Sequence, residues 1–243
     1  MSALQAAAPV VGAIVAVVLL AGCESSQSKS ARLAAQGGAA ADRIGLRVER
    51  QTSKVEVLST HVVSDENGTA TVVGLRNATR GTLRDVPVAI DVTDRAGRSV
   101  FRNDDPGLEP SLLGPSLLGP GERFLWVNDQ VLAAGDARRA EARVGEPDRA
   151  PRSVPRVVLS RPRLRDDPVS GVAAVGRVTN RSRVEQRRLV IYGVARRGRR
   201  IVAAGRAQIE RLKAGARKSF QVFFIGDPRG ARISLEAPPT TFR

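Results

Sequence analysis

The stretch Val86-Pro87-Val88-Ala89-Ile90-Asp91-Val92 places a β-branched residue at every second position. These four side chains fall on one face of an extended chain, because side chains alternate sides along a strand. Phe220, Val222 and Phe224 alternate in the same way in the last part of the chain. Proline cannot donate a hydrogen bond to a neighbouring strand, so Pro87 favours an edge strand or a bulge at that point.

Turn signals separate several such stretches and predict an all-β fold. Asp94-Arg95-Ala96-Gly97, which follows the alternating run, and Arg196-Arg197-Gly198 are both typical of hairpin turns. Strand patterns recur about every ten residues, and the chain has no long helical periodicity. Aromatic residues make up only 3% of the sequence, so valine, leucine, isoleucine and alanine must build the core.

Two copies of one pattern follow each other along the chain. An apolar stretch, an acidic turn, a strand ending in asparagine and a glycine turn occur in the same order in both halves. The matched pieces are Val57–Ser59 with Val158–Ser160, Asp65–Gly68 with Asp166–Pro168, Thr71–Asn77 with Ala173–Asn180, Gly97–Val100 with Gly198–Ile201, Leu118 and Gly121 with Leu212 and Gly215, and Gly135–Arg138 with Gly226–Arg229. The spacing is nearly constant through the first four matches and then shortens, because the first copy contains extra residues.

Each copy has the length and strand number of an immunoglobulin-like sandwich, about 100 residues and seven strands. We therefore predict two tandem immunoglobulin-like β-sandwich domains, at residues 53–149 and 153–243, joined by the proline-rich stretch Pro147–Pro155. The extra residues of the first copy include Pro110–Gly114, repeated at once as Pro115–Gly119. A short loop insertion costs little closure entropy, so the sequence favours a neutral duplication over a binding loop.

Several of these positions resemble the FxLYD-type domains of bacterial envelope proteins. The shared order is a glycine, an asparagine, an apolar strand, a turn of the form D-x-x-G, and then L-x-P-G-E ahead of an aromatic residue. The first copy supplies Gly74, Asn77, Ile90–Asp94, Gly97, Leu118–Glu122 and Trp126, and the second supplies Gly176, Asn180, Tyr192, Gly198, Leu212, Gly215 and Phe220. Ile90 and Thr93 stand where the family name has Phe and Tyr, and the second copy lacks the aspartate of the turn. The resemblance implies a sandwich fold outside the cytoplasm and no enzymatic activity.

The first 22 residues contain no charged side chain, and every residue from Ala6 to Gly22 is apolar, glycine or proline. As a helix this run would cover about 26 Å, which is short of the roughly 30 Å of a bilayer core. A signal peptide at residues 1–22 is therefore favoured over an uncleaved membrane anchor. Residues 23–52, which are rich in serine, glutamine, glycine and alanine, then predict a flexible tether.

The sequence Leu20-Ala21-Gly22-Cys23 resembles the lipobox of bacterial lipoproteins, and Cys23 is the only cysteine of the chain. The resemblance implies that Cys23 carries a diacylglyceryl group and becomes the first residue after cleavage. Two acyl chains give stable anchoring, whereas one chain binds a membrane only marginally. The expected location is the extracytoplasmic face of the cell membrane.

Positive charge is concentrated in the second copy. Residues 151–243 hold 22 basic and 6 acidic side chains, whereas residues 50–150 hold 13 and 15. This asymmetry predicts an anionic partner for the second copy: anionic lipid, a wall polymer or an acidic envelope protein, with no nucleic acid expected. The candidate contacts are Arg161, Arg163 and Arg165, which alternate along one strand, and Arg196, Arg197, Arg199 and Arg200, which crowd a hairpin tip. A solvated arginine-rich surface without a ligand is the alternative.

Reactive side chains are too few for a recognisable enzyme site. His61 is the only histidine and lies in a predicted strand, so a Ser-His-Asp site or a zinc site finds little support. Asp104, Asp105 and Glu109 offer the oxygen ligands of calcium, but Asp-Pro-Gly is a plain turn signal. Three Asn-x-Ser/Thr sequons, beginning at Asn67, Asn77 and Asn180, are interpreted as chance.

We therefore predict no catalytic residue, no metal and no cofactor. The expected function is that of a membrane-anchored, non-enzymatic binding or scaffolding protein of the cell envelope. The first alternative is a structural spacer without a ligand, and the second is an envelope enzyme or an accessory subunit.

Overall fold

Strands form where the alternating patterns predict them. The computed structural model describes residues 45–133, 135–149, 153–168 and 170–242. The four β-branched residues of the 86–92 stretch are each at most 3% exposed, as are Phe220, Val222 and Phe224. The all-β fold class is therefore confirmed, and Pro110–Leu113 (α1) is the one helix within those ranges.

The described part of the first copy forms three antiparallel sheets. Its strands are β1 (Val55–Asp65), β2 (Gly68–Asn77), β3 (Leu83–Arg84), β4 (Val88–Thr93), β5 (Ser99–Arg102), β6 (Leu117–Leu118), β7 (Arg123–Asn128), β8 (Arg139–Val144) and β9 (Asp148–Arg149). The sheet orders are β1-β2-β7, β5-β4-β8 and β6-β3-β9. The predicted turn at Asp94–Gly97 joins β4 to β5, and Gly97 has the positive φ of 80° that favours glycine.

The described part of the second copy forms two antiparallel sheets. Its strands are β10 (Val157–Leu159), β11 (Arg163–Asp167), β12 (Gly171–Asn180), β13 (Gln186–Arg197), β14 (Arg200–Leu212), β15 (Arg217–Phe223), β16 (Ile225–Gly226) and β17 (Arg232–Glu236). One sheet has the order β16-β14-β13-β17. In the other, β15 pairs with one edge of β12, so β10 and β11 share the opposite edge.

The two sheets of the second copy enclose a core of their own. Ala174, Val178 and Phe220 come from the β12 and β15 sheet, and Leu189 and Ile191 come from β13. All five are at most 3% exposed. This face-to-face packing of two sheets is the sandwich arrangement that the sequence predicts.

A second core extends from the first copy into the second. Val72 and Val127 of the first copy belong to the same buried cluster as Val194 and Ala204 of the second. Phe124 and Tyr192 meet edge to face, with ring centroids 5.3 Å apart and an interplanar angle of 85°. Aromatic pairs favour this geometry, because the positive ring edge approaches the negative ring face. The two copies are therefore joined by packed side chains.

Of the edge strand and the bulge that the sequence allows at Pro87, the structure excludes the edge strand. Pro87 lies just before β4, and β4 pairs with β5 on one side and β8 on the other. Pro87 has no backbone N–H group, and none is required for strand pairing at this position. Its carbonyl accepts a hydrogen bond of 2.9 Å from the Gly145 amide. The strand is interrupted at residues 85–87, which separate β3 from β4.

The tandem duplication is a structural part of the core, so its interpretation as a neutral insertion is wrong. The first repeat forms α1 and buries Leu112, whereas the second forms β6 and buries Leu118. The Trp126 indole donates 2.9 Å to the Ser111 carbonyl, and the Asn103 amide donates 2.9 Å to the Leu112 carbonyl. Identical pentapeptides thus adopt two conformations because their tertiary partners differ.

Candidate functional site: an open basic face

Two asparagines fix the correspondence between the copies. Asn77 ends β2 and donates to the carbonyls of Gly81, Leu118 and Gly119 at 2.7, 3.1 and 2.8 Å. Asn180 ends β12 and donates to the carbonyls of Val184, Leu212 and Lys213 at 2.7, 3.1 and 3.2 Å. In both places the hydroxyl two residues later, of Thr79 or Ser182, donates to the asparagine Oδ1. The Asn-x-Ser/Thr order at these two sites has this structural cause.

The second copy covers one face of the β1-β2-β7 sheet of the first copy. His61, Val72 and Val127 lie side by side on that face, because directly paired residues of antiparallel strands point the same way. Val72 and Val127 are completely buried. Gly226 of the second copy lies so close that a Cβ atom there would be 2.8 Å from the Val63 Cγ1.

The equivalent face of the second copy is open and basic. Positions in the two copies are matched by counting from Asn77 and Asn180. The row that corresponds to His61, Val72 and Val127 then consists of Arg163, Val175 and Gln221. Arg163 and Gln221 are exposed, and Val175 is half-buried. One row further along, exposed Arg177 pairs with exposed Ser219. The face that the first copy uses for internal packing therefore carries charged and polar groups in the second copy.

A concavity of about 820 Å³ lies on this open face. Its lining includes four arginines, Arg161, Arg163, Arg165 and Arg177, together with Val175, Ser219 and Gln221. Among the residues that the structure describes, none of the four arginines has an ion-pair partner. The nearest acidic groups in sequence stand at the end of β11, where Asp166 pairs with Arg229. We name these four arginines and their concavity the basic face.

The predicted alternation of Arg161, Arg163 and Arg165 thus places three arginines at one concavity, and the sequence reasoning missed Arg177. Arg177 belongs to β12 and reaches the site only through the pairing of β12 with its neighbouring strands. It is preceded by Gly176 and followed by Val178, so no local alternation of charge identifies it. Arg177 could have been predicted as a site residue only from the register between strands that are distant in sequence.

The other four predicted arginines lie at the exposed tip of the β13–β14 hairpin. Arg197 and Arg200 are the last paired residues, and Gly198, with a φ of 61°, and Arg199 form the turn. The Arg197 guanidinium donates 2.8 Å to the Arg229 carbonyl. Since the Arg229 side chain pairs with Asp166, this contact connects the hairpin tip to the end of β11.

His61 has the surroundings of a structural residue. Burial, and then the nearby charge of Arg196, hold the pKa of His61 below its usual value. Its imidazole makes no hydrogen bond to any residue in the described ranges, so no acid–base relay surrounds it there. Within the same ranges no three His, Cys, Asp or Glu side chains come together as a metal site.

Cys23 lies outside the described residues, as does the whole stretch from residue 1 to 44. In the part of the chain that is described, no helix has the length and apolarity required to cross a bilayer. Sequence comparison finds no matching protein family and no similar curated protein.

Proposed function

We propose that this chain is a lipoprotein, anchored through Cys23 on the outer side of the cell membrane, that binds or scaffolds an anionic component of the cell envelope. The binding surface is the basic face of the second copy, assisted by the hairpin tip with Arg196, Arg197, Arg199 and Arg200. The proposal involves no catalysis. The contrast between the covered face of the first copy and the open face of the second is the observation that carries it.

Composition alone does not account for this contrast. Arginines occur throughout the second copy, but those of the basic face replace residues that are apolar or neutral at the matching positions of the first copy. Counted from Asn77 and Asn180, Val63 corresponds to Arg165 and Gly74 corresponds to Arg177, so the sequence match of Gly74 with Gly176 is shifted by one residue. A sheet face that is exposed to solvent needs polar side chains for solubility. That need alone would be met by charges of both signs, whereas the four arginines of the basic face are all positive.

A diacylglyceryl group and a basic surface act together at a membrane. The two acyl chains supply stable anchoring. Each arginine near an anionic headgroup layer adds about 1 kcal/mol, and this attraction decays within about one Debye length. A partner that lies close to the membrane therefore meets the basic face at high local concentration.

The proposal is tested with a triple variant, Arg163→Gln, Arg165→Gln and Arg177→Gln. Co-sedimentation with vesicles of anionic lipid and with isolated cell-wall fragments separates the two sources of negative charge. We expect the variant to bind at least 100-fold more weakly at low salt, because about 3 kcal/mol is lost. Binding of the wild type should also fade steeply as salt is added.

The matched control removes three arginines from the first copy: Arg95→Gln, Arg139→Gln and Arg143→Gln. These arginines are exposed and have no ion-pair partner in the described part of the chain. An equal loss of binding in both triple variants would show a general effect of net charge and contradict the assignment to the basic face. Mass spectrometry of the native protein tests the anchor, and an unmodified Cys23 thiol would contradict it.

A structural spacer without a ligand is the second candidate, and the packed contacts between the copies favour it. Arg206 of the second copy pairs with Asp129 of the first at 2.7 Å, and Phe124 packs against Tyr192. The function of a spacer would depend on these contacts and not on the basic face. Cells that carry the triple variant of the basic face should therefore behave like wild-type cells if the chain is a spacer, and differ from them if it is a binding protein.

A further inference from the structure

A groove of about 450 Å³ runs between the two copies, away from the basic face. Small-molecule sites have volumes of roughly 300 to 1,000 Å³ and are largely apolar. The apolar part of this groove comes from both copies and from the stretch before them: Pro87, Leu113 and Pro115 from the first copy, Val190 and Tyr192 from the second, and Leu46 from the end of the predicted tether. The groove is therefore lined by side chains from both copies.

Tyr192 brings a polar atom to this apolar lining. Its side chain is 3% exposed, and its ring is held against Phe124. The phenol group has no hydrogen-bond partner among the residues that the structure describes. Burial raises the pKa of Tyr192, so the group remains a neutral O–H donor. A phenol O–H in a lining of this kind can donate a hydrogen bond to a ligand.

Two of the four charged residues in the lining lack an ion-pair partner in the described ranges. Asp85 pairs with Arg84 at 2.9 Å, and Arg187 pairs with Glu185 at 3.2 Å. Glu109 and Arg188 have no such partner, so the groove offers one carboxylate and one guanidinium. Arg188 has a φ of 46°, a backbone conformation that is unfavourable for arginine.

We propose that this groove binds a small amphipathic zwitterion, such as a short apolar peptide with free ends. The apolar body would lie against the leucine and proline side chains, the ammonium group would pair with Glu109, and the carboxylate would pair with Arg188. The Tyr192 hydroxyl donates to a carbonyl of the ligand. This inference is independent of the proposed function, because none of the basic-face arginines lines the groove.

The test uses the purified full chain and leucine peptides of two, three and four residues in isothermal titration calorimetry. We expect saturable binding of at least one free-ended peptide at one site per chain. Acetylation of its amino end or amidation of its carboxyl end should each weaken binding about tenfold or more, since each removes a charge-assisted contact. Tyr192→Phe keeps the ring and should weaken binding about 2- to 10-fold.

Charge-matched variants assign each end of the peptide. Arg188→Gly removes the guanidinium at a backbone conformation that glycine adopts freely, and should weaken the free-ended peptide but not the amidated one. Glu109→Gln should weaken the free-ended peptide but not the acetylated one. Arg95→Gln, at an exposed turn of the first copy that does not line the groove, is the control and should leave binding unchanged. The proposal is overturned if no leucine peptide binds, if all three peptide forms bind equally, or if Arg95→Gln weakens binding as much as Arg188→Gly does.

Discussion

Asp85 and Arg188 occupy equivalent positions in the two copies, and both have a φ of 46°. Leu83, two residues before Asp85, pairs with Leu118, and Gln186, two residues before Arg188, pairs with Leu212. They are the only two residues in the described ranges, other than glycine, with a positive φ. The backbone conformation has thus been retained in both copies while the side-chain charge differs.

This shared conformation predicts how the two positions tolerate substitution. Glycine adopts a positive φ without steric cost, whereas a β-branched residue is strongly disfavoured there. We expect Arg188→Gly to leave the free energy of unfolding unchanged or to raise it by up to about 1 kcal/mol, and Arg188→Val to lower it by about 1–2 kcal/mol. Urea unfolding of both variants checks this, and equal destabilisation by glycine and valine would contradict it.

The asparagine contacts predict a large stability loss from a single amide. Asn180 is completely buried, and its Nδ2 donates to three carbonyls. Asn180→Ala leaves these acceptors unsatisfied and should lower the free energy of unfolding by about 2–4 kcal/mol. Asn67→Ala, at the exposed turn between β1 and β2, is the control and should cost much less. A similar loss in both variants would show that Asn180 has no special structural role.

The features that follow from the sequence are local, and those that do not are set by register. Alternation identified the buried residues of the 86–92 stretch, and turn chemistry located the hairpins at Gly97 and Gly198. The open face could not be predicted in the same way, because Arg163, Val175 and Gln221 meet only when three separate strands are aligned. The two conformations of the duplicated pentapeptide could not be predicted either, because the two pentapeptides have identical sequences.

An ion pair at the junction between the copies predicts a second large stability effect. Arg206 has a 7% exposed side chain and donates to Asp129 through its Nε at 2.7 Å and its backbone N–H at 3.0 Å. Burial opposes the guanidinium charge, but Asp129, Tyr192 and Glu109 together outweigh it, so the pKa of Arg206 is raised. Asp129→Asn leaves a buried cation without its counter-charge and should lower the free energy of unfolding by about 3 kcal/mol.

The exposed pair between Arg138 and Asp136 is the matched control for this effect. Asp136→Asn should change the free energy of unfolding by less than about 1 kcal/mol, because solvent screens exposed charges. Chemical unfolding of both variants at the same ionic strength compares them directly. If the two substitutions cost the same, the ion pair between Arg206 and Asp129 does not stabilise the junction.

Glu236 predicts an unusual dependence of stability on pH. Burial, and then the charge of Glu122, raise the pKa of Glu236 to about 7. The unfolded chain has an ordinary glutamate pKa of about 4.3, so between these values the folded protein holds a proton that the unfolded chain releases. This group therefore stabilises the fold at low pH, and its contribution is lost as the pH rises from about 4.5 to 7, by about 1–3 kcal/mol.

The variant Glu236→Gln isolates this contribution. Relative to the wild type, the variant should gain free energy of unfolding as the pH rises from about 5 to about 7.5, because only the wild type loses this contribution. His61, whose lowered pKa acts in the opposite direction, is present in both proteins and cancels from the difference. Glu66→Gln at an exposed turn is the control for the loss of a carboxylate, and an equal widening in that variant would contradict the assignment to Glu236. A constant difference for Glu236→Gln would mean that the pKa of Glu236 is not raised.

The shared core predicts that each copy depends on the other. Separation at residue 150 would expose Val72 and Val127 on one fragment and Val194 and Ala204 on the other, all of which are at most 2% exposed in the whole chain. Newly exposed apolar surface of this kind destabilises a fragment and promotes association.

We expect fragments 45–149 and 153–243 to unfold at lower urea concentration than the intact chain and to form a one-to-one complex when mixed. Analytical ultracentrifugation measures the complex, and Asp129→Asn in the first fragment should weaken it, because Arg206 then loses its counter-charge. Two fragments that stay monomeric, with the stability of the intact chain, would mean that the packing between the copies contributes little.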